Sequence, residues 1–168
     1  MGLDGDLYRA VLLVHILTVI VGFGPLVLNG LYGVRAAKLD RRSAAAVTEV
    51  NFSVSQVAAR VVYLVFITGV LVVLFSDDTY DLGDLWVSAS MVTYVAAIGI
   101  SHGMLVPNAR RMMALQKELA DLDGAQLDGP PEQAVELADR AKRAAAMGTV
   151  LNLLLVFILY LMVFKPGL

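Results

Sequence analysis

Polar and apolar positions along this chain segregate on the scale of whole helices. Four apolar stretches, at about residues 8–34, 57–76, 85–108 and 144–164, are separated by polar connections. Each approaches or exceeds the ~20 residues that, at ~1.5 Å rise per residue, cross a hydrocarbon core of ~30 Å. Lipid offers no partner to backbone N–H and C=O groups, so these stretches are expected to be helices. The connections are too short to enclose a second core. The pattern therefore predicts an all-α polytopic membrane protein with one domain over residues 1–168. That domain is an antiparallel bundle of four transmembrane helices with cytoplasmic helical extensions.

A finer pattern lies inside the spans, where a polar side chain costs free energy unless it faces protein. On the first span His15, Thr18, Gly22, Pro25, Asn29 and Gly33 recur at steps of three and four, which lines one helix face. The third span repeats the spacing with Ser90, Thr93, Ala97, Ser101, Met104 and Asn108, and sets Tyr94 and His102 beside it. Arg60, Tyr63 and Thr68 on the second span, and Thr149, Asn152 and Tyr160 on the fourth, supply further polar groups. The expected interior polar stripe thus includes Thr18, Asn29, Arg60 and Asn152. For Arg60 the simplest reading is that it snorkels to the cytoplasmic surface or caps neighbouring carbonyls. Gly99 and Gly103 form a G-x-x-x-G match, which serves either dimerisation or a close contact within the bundle.

Charge orients the pattern. Arg35, Lys38, Arg41 and Arg42 fall in the first connection, and Arg110, Arg111, Lys117, Arg140, Lys142 and Arg143 in the third. The second connection, residues 77–84, has no Lys or Arg. The positive-inside rule then places both termini outside and both basic connections in the cytoplasm. Tyr8, Tyr80, Trp86 and Tyr160 fall near the outer boundary, where amphipathic rings sit. Asp4 and Asp6 precede an apolar run too long for a signal peptide, so the first span is expected to be retained. Ser43 is the expected cap of the helix leading into span two. Gly129-Pro130-Pro131 is expected to break the helix beyond span three, and Glu136 and Arg140 to pair across one turn of the next.

Composition narrows the chemistry. A hydrophobic content of 58% suits four buried spans, and a net charge of −2 gives no footprint for nucleic acid. Without cysteine there is no disulfide, thiolate metal site or thiol nucleophile. Ser101 and His102 are adjacent on a helix and point about 100° apart, so they form no catalytic dyad. Counting ~1.5 Å per residue puts His15 roughly 10 Å below the outer edge, level with Thr68 and Tyr94. His102 lies near the inner edge, close to the level of Asn29, Arg60 and Asn152, so one chain is not expected to place both histidines on one metal. Three readings stand for His15: a satisfied interior histidine, an axial ligand to haem or a copper ligand, and a proton relay. On the ligand reading Thr68 or Tyr94 orients its second ring nitrogen. His102 carries the same alternatives at its separate depth, and Met91 and Met104 are soft donors for copper.

The segment 13–26, Leu-Val-His-Ile-Leu-Thr-Val-Ile-Val-Gly-Phe-Gly-Pro-Leu, resembles the opening helix of a family of bacterial predicted integral membrane proteins, domain of unknown function 2269. In pattern that family is loosely similar to copper-resistance D-type proteins and to four-helix membrane protoporphyrinogen oxidases, which also open on a leucine–histidine pair. The resemblance implies a histidine-bearing helical bundle in a bacterial plasma membrane, with haem b the group proposed for the oxidases. His15 is the position that carries over. The expected function is a small membrane protein that houses haem or copper as a redox or accessory protein. The alternatives are a non-catalytic assembly subunit of a membrane complex and a small permease. No Asp or Glu lies within a span to serve a carrier as a relay. The expected partners are the lipid bilayer and a second copy or a larger membrane complex.

Overall fold

The computed structural model describes residues 5–122 and 129–167. Its elements are α1 (Asp6–Ala36), α2 (Arg41–Leu74), α3 (Leu85–Ile100), α4 (Val106–Asp121) and α5 (Glu132–Phe164). A π-helical turn, Ser101–Leu105, joins α3 to α4, so Leu85–Asp121 runs as one long helix. Four helices are therefore long and apolar enough to cross a membrane. Their outward faces carry exposed large apolar residues such as Leu31, Val92, Val150 and Val163, as a lipid solvent demands.

The ends of these helices follow from local chemistry. Asp40, not Ser43, caps α2: the Ser43 N–H donates to Asp40 Oδ1 at 2.9 Å and the Ala44 N–H to the Asp40 carbonyl at 2.9 Å. The helix accordingly starts three residues earlier than a Ser43 cap would allow. The Asp40 carboxyl is held below its ordinary pKa chiefly by that Ser43 N–H. After α2, Asp77 and Asp78 both adopt left-handed backbone, tolerated by Asp, and Ser76 Oγ accepts the Tyr80 N–H at 3.0 Å to close the turn. Asp4 and residues 123–128 lie outside the described residues; immediately after them Gly129 has φ +151°, followed by the proline pair at the start of α5. The π turn has a cause in Pro107, which has no N–H to give the carbonyl four residues back and whose ring crowds it.

The chain divides into two compact units, each described by itself. The first comprises Met1–Leu26, Ser55–Ala96 and Leu153–Leu168. Here α1 and α2 run antiparallel, with Gly22 against Val62: a Cβ on Gly22 would lie 3.2 Å from Val62 Cγ2 and 3.3 Å from its backbone nitrogen. Val73, Trp86, Val87 and Leu161 form the buried cluster, flanked by Tyr80, Met91 and Met162. Arg60 is exposed, a correction to its expected place on the interior stripe. It stands about 200° around α2 from the buried Ala58 and Val62, and its length lets it turn away from them.

The second unit comprises Val27–Val54 and Ala97–Asn152. Leu115, Leu119, Ala36 and Asn108 are its buried residues. Asn108 binds α5 twice, donating to the Arg140 carbonyl at 3.0 Å and accepting Arg140 Nη1 at 3.2 Å. Arg140 pairs with Glu136 at 2.7 Å as expected, and Arg111 of α4 joins them with Nη2 3.0 Å from Glu136. The two guanidiniums, Arg111 first, hold the Glu136 carboxyl down at a pKa of about 2; it lies on the charged start of α5, ahead of the apolar run. Asn152 is exposed, a second correction: the half-buried face of α5 here is Met147, Gly148 and Leu151, and the next residue points about 100° away. Met104 is exposed as well, because the π turn shifts the inner face from Ser101 to Leu105 and Asn108.

Candidate functional site

His15 is a strongly buried ionisable side chain of the first unit, 7% exposed, as is Tyr8 on the same helix. Its place is made by two other helix positions. Gly69 on α2 leaves room for the ring, since a Cβ there would lie 3.2 Å from His15 Cε1. Thr68 Oγ1 lies 3.0 Å from His15 Nδ1, as the matched depths of the two residues predict.

The surrounding hydroxyls fix the ring's proton. Thr68 donates its single hydrogen to the Leu64 carbonyl at 2.8 Å, and Thr18 donates its own to the His15 carbonyl at 2.7 Å. Thr68 Oγ1 is then left as an acceptor, so the Nδ1–H of His15 donates to it. A neutral ring with its proton on Nδ1 carries a free lone pair on Nε2. That is the state in which histidine ligates a metal or accepts a ligand's hydrogen bond. Tyr94 does not orient His15: its hydroxyl donates to the Val62 carbonyl at 2.7 Å, while its ring stacks on Phe66 with centroids 5.4 Å apart.

His15 lines a cavity of about 220 Å³ whose lining residues all belong to the first unit. Tyr8, Leu12, His15, Val19 and Phe23 supply the α1 wall at steps of four, three, four and four. Val65, Gly69 and Val73 line it from α2, Trp86, Ser90, Met91 and Tyr94 from α3, and Ile158 and Met162 from α5. At one end Lys165 lies over two rings, 4.2 Å from the Tyr80 centroid and 5.7 Å from the Trp86 centroid, and donates to the Tyr80 hydroxyl. Tyr80 and Trp86 meet edge-on at 5.2 Å. Trp86 is 7% exposed, and its buried Nε1–H has no acceptor among the described residues.

Other sequence-predicted residues lie elsewhere. Thr18 is half-buried beside Thr68, 3.2 Å between hydroxyls, and belongs to the His15 cluster. Asn29 is half-buried and belongs to the second unit. His102 is exposed, sits in the π turn of that same unit, and its Nδ1 lies 3.2 Å from the Ile98 carbonyl. Among the described residues no three His, Asp or Glu gather as a metal site. Sequence reasoning missed Gly69, Lys165 and the Trp86–Tyr80 pairing. Gly69 directly follows Thr68, and its lack of a side chain was the available signal.

Four apolar helices, a lipid-facing exterior and a polar cluster confined to the interior define an all-α integral membrane protein. Residues 9–166 match the family described as predicted integral membrane protein (DUF2269), and the chain belongs to it. No curated protein and no solved structure matches it.

Proposed function

We propose that the protein binds a small apolar ligand inside the membrane, in the cavity of the first unit, with His15 Nε2 as the polar contact. The observation that carries this reading is the placement of His15: its ring lines an apolar cavity with Nδ1 3.0 Å from Thr68 Oγ1, and with Thr68 accepting the Nδ1–H bond, Nε2 is left as an acceptor for a ligand. A histidine serving packing alone has no need of a neighbouring void. The volume of about 220 Å³ exceeds the ~150 Å³ that admits benzene.

A ligand smaller than haem is favoured, because about 220 Å³ lies below the ~300–1,000 Å³ typical of sites for drug-sized ligands. Copper(I) is a second reading, favoured by the thioethers of Met91 and Met162 on the same cavity wall as His15. Soft sulfur donors with one imidazole suit that ion.

Dodecanol tests the first reading, since its hydroxyl is a donor for Nε2 and its chain suits the walls. Trp86, the single tryptophan, lines the cavity and reports occupancy by its emission. Saturable binding is expected, weakened several-fold by His15→Ala and at least tenfold by Val19→Phe, which fills the cavity. A linear, unsaturable response of the wild type refutes it. Copper(I) competed against a chelator tests the second: one equivalent held by the wild type and lost in His15→Ala and Met91→Leu supports it, and no retained copper ends it.

A further inference from the structure

The end of the cavity remote from His15 carries one cation, the Lys165 ammonium, in a wall that is otherwise aromatic and aliphatic. Lys165 has no carboxylate partner among the described residues; its ammonium donates one hydrogen to the Tyr80 hydroxyl and has two more to give. Trp86 lines the same cavity, and its indole N–H is buried without an acceptor among the described residues. The ammonium lies 5.7 Å from the centroid of the Trp86 ring. Burying a polar group without a partner is unfavourable, and an unmatched cation beside an apolar cavity more so. Lys165 also sits in left-handed backbone, φ 45°, just past the end of α5, where glycine is the usual residue. That conformation lets the chain turn after Phe164 while the ammonium lies over the rings.

We propose that this end of the cavity takes the anionic head of a single-chain amphiphile, a carboxylate or a phosphate, on Lys165 Nζ beside the Trp86 ring. The hydrocarbon chain lies along the aromatic and aliphatic walls toward His15. Val73 packs with Trp86 and Gly69 touches His15, so the two ends are about one helical turn, roughly 6 Å, apart along α2. Charge recognition is thereby placed at one end and the neutral acceptor at the other. The inference rests on the proposed ligand cavity and adds the chemistry of the head.

The test uses the full chain in nanodiscs of neutral phosphatidylcholine at pH 8, titrated with dodecanoate, dodecyl phosphate and dodecanol and followed by Trp86 emission. At least one anionic probe should bind tenfold or more tightly than dodecanol. Preference for the carboxylate assigns the source as a free fatty acid, and preference for the phosphate as a lipid headgroup; either supports the proposal. Dodecanoate brominated beside the head should quench Trp86 more than dodecanoate brominated at the chain end. Lys165→Met should erase the anionic advantage and leave dodecanol affinity within about threefold, while Lys165→Arg should retain most of it. Equal wild-type affinity for the neutral and anionic probes overturns the head-group site and leaves the cavity reading intact. Absence of saturable binding by all three probes overturns both.

Discussion

Thr68→Val is the most direct probe of the His15 arrangement, because valine keeps the shape of threonine and removes only the hydroxyl. In the wild type that oxygen accepts the His15 Nδ1–H at 3.0 Å and lies 3.2 Å from Thr18 Oγ1. Its own hydrogen goes to the Leu64 carbonyl, which keeps a helical partner after the substitution. The loss is therefore concentrated on a ring nitrogen of a residue that is 7% exposed. Leaving a buried donor unsatisfied costs about 1–3 kcal/mol in water-soluble proteins. Hydrogen bonds between membrane helices average only about 0.6 kcal/mol and reach about 1.7. A loss of about 1–1.5 kcal/mol is expected for Thr68→Val. Thr93→Val is the control, since Thr93 back-bonds only to the Ala89 carbonyl at 2.7 Å, and it should cost a few tenths at most. Unfolding by dodecyl sulfate in mixed micelles, followed by Trp86 emission, measures both. Nitrogen-15 labelling of histidine gives two ring systems, His15 and His102. The wild-type His15 should show its proton on Nδ1 and a bare Nε2. Equal stability losses for the two valine variants, or a wild-type proton on Nε2, would sink the tautomer argument and with it the acceptor at the cavity wall.

Three further outcomes follow from the helix contacts and charges. Gly22→Leu should cost about 1–3 kcal/mol by overpacking against Val62, while Gly24→Leu, whose Cβ meets nothing within 4 Å, should be close to neutral in the same unfolding assay. The Glu136 carboxyl is held below its ordinary value of 4.5 by Arg111 and Arg140, so its contribution is complete above about pH 4.5 and lost as pH falls toward about 2. Wild-type stability should fall through that window more than that of Glu136→Gln, and parallel pH profiles would contradict the assignment. The charge pattern predicts that the connection at Asp78 is outside and that at Lys38 inside. In this cysteine-free chain Asp78→Cys should react with an impermeant maleimide in intact cells and Lys38→Cys only after permeabilisation; the opposite pattern reverses the topology.

The helices were legible because lipid makes a simple demand: long apolar runs register as spans whatever packs beside them. The inner face of α1 was legible where helices touch. His15 and Gly22 are buried as the three-and-four spacing requires, yet Gly33, on the same stripe, is exposed with nothing within 4 Å of a Cβ. Periodicity names a face without saying how far along the helix a neighbour covers it. The spacing in the third span failed at Met104, because one π turn shifts the phase and Pro107 hid that consequence behind an ordinary run of apolar letters. Arg60 and Asn152 were misplaced by treating every polar residue at membrane depth as interior. A long cationic chain reaches away from small neighbours such as Ala58, and Asn152 sits one step beyond a face that Met147, Gly148 and Leu151 already occupy.

The Lys165–Trp86 end was illegible for a different reason: it joins residues about eighty positions apart, and a terminal lysine beside Tyr80 reads in sequence as an interfacial anchor. What separates it from an anchor is a half-buried ammonium at the wall of an apolar cavity, with hydrogens left to give beyond its bond to the Tyr80 hydroxyl, next to an indole N–H buried without an acceptor among the described residues. An interfacial ring would reach its partner in water or headgroups. The His15 end has the complementary character, an acceptor with no donor. A site with unmet donors at one end, an unmet acceptor at the other and apolar walls between is incomplete as a packed interior. Those same features suit a molecule with an anionic head at the Lys165 end, an apolar body between, and a hydrogen-bond donor within reach of His15 Nε2.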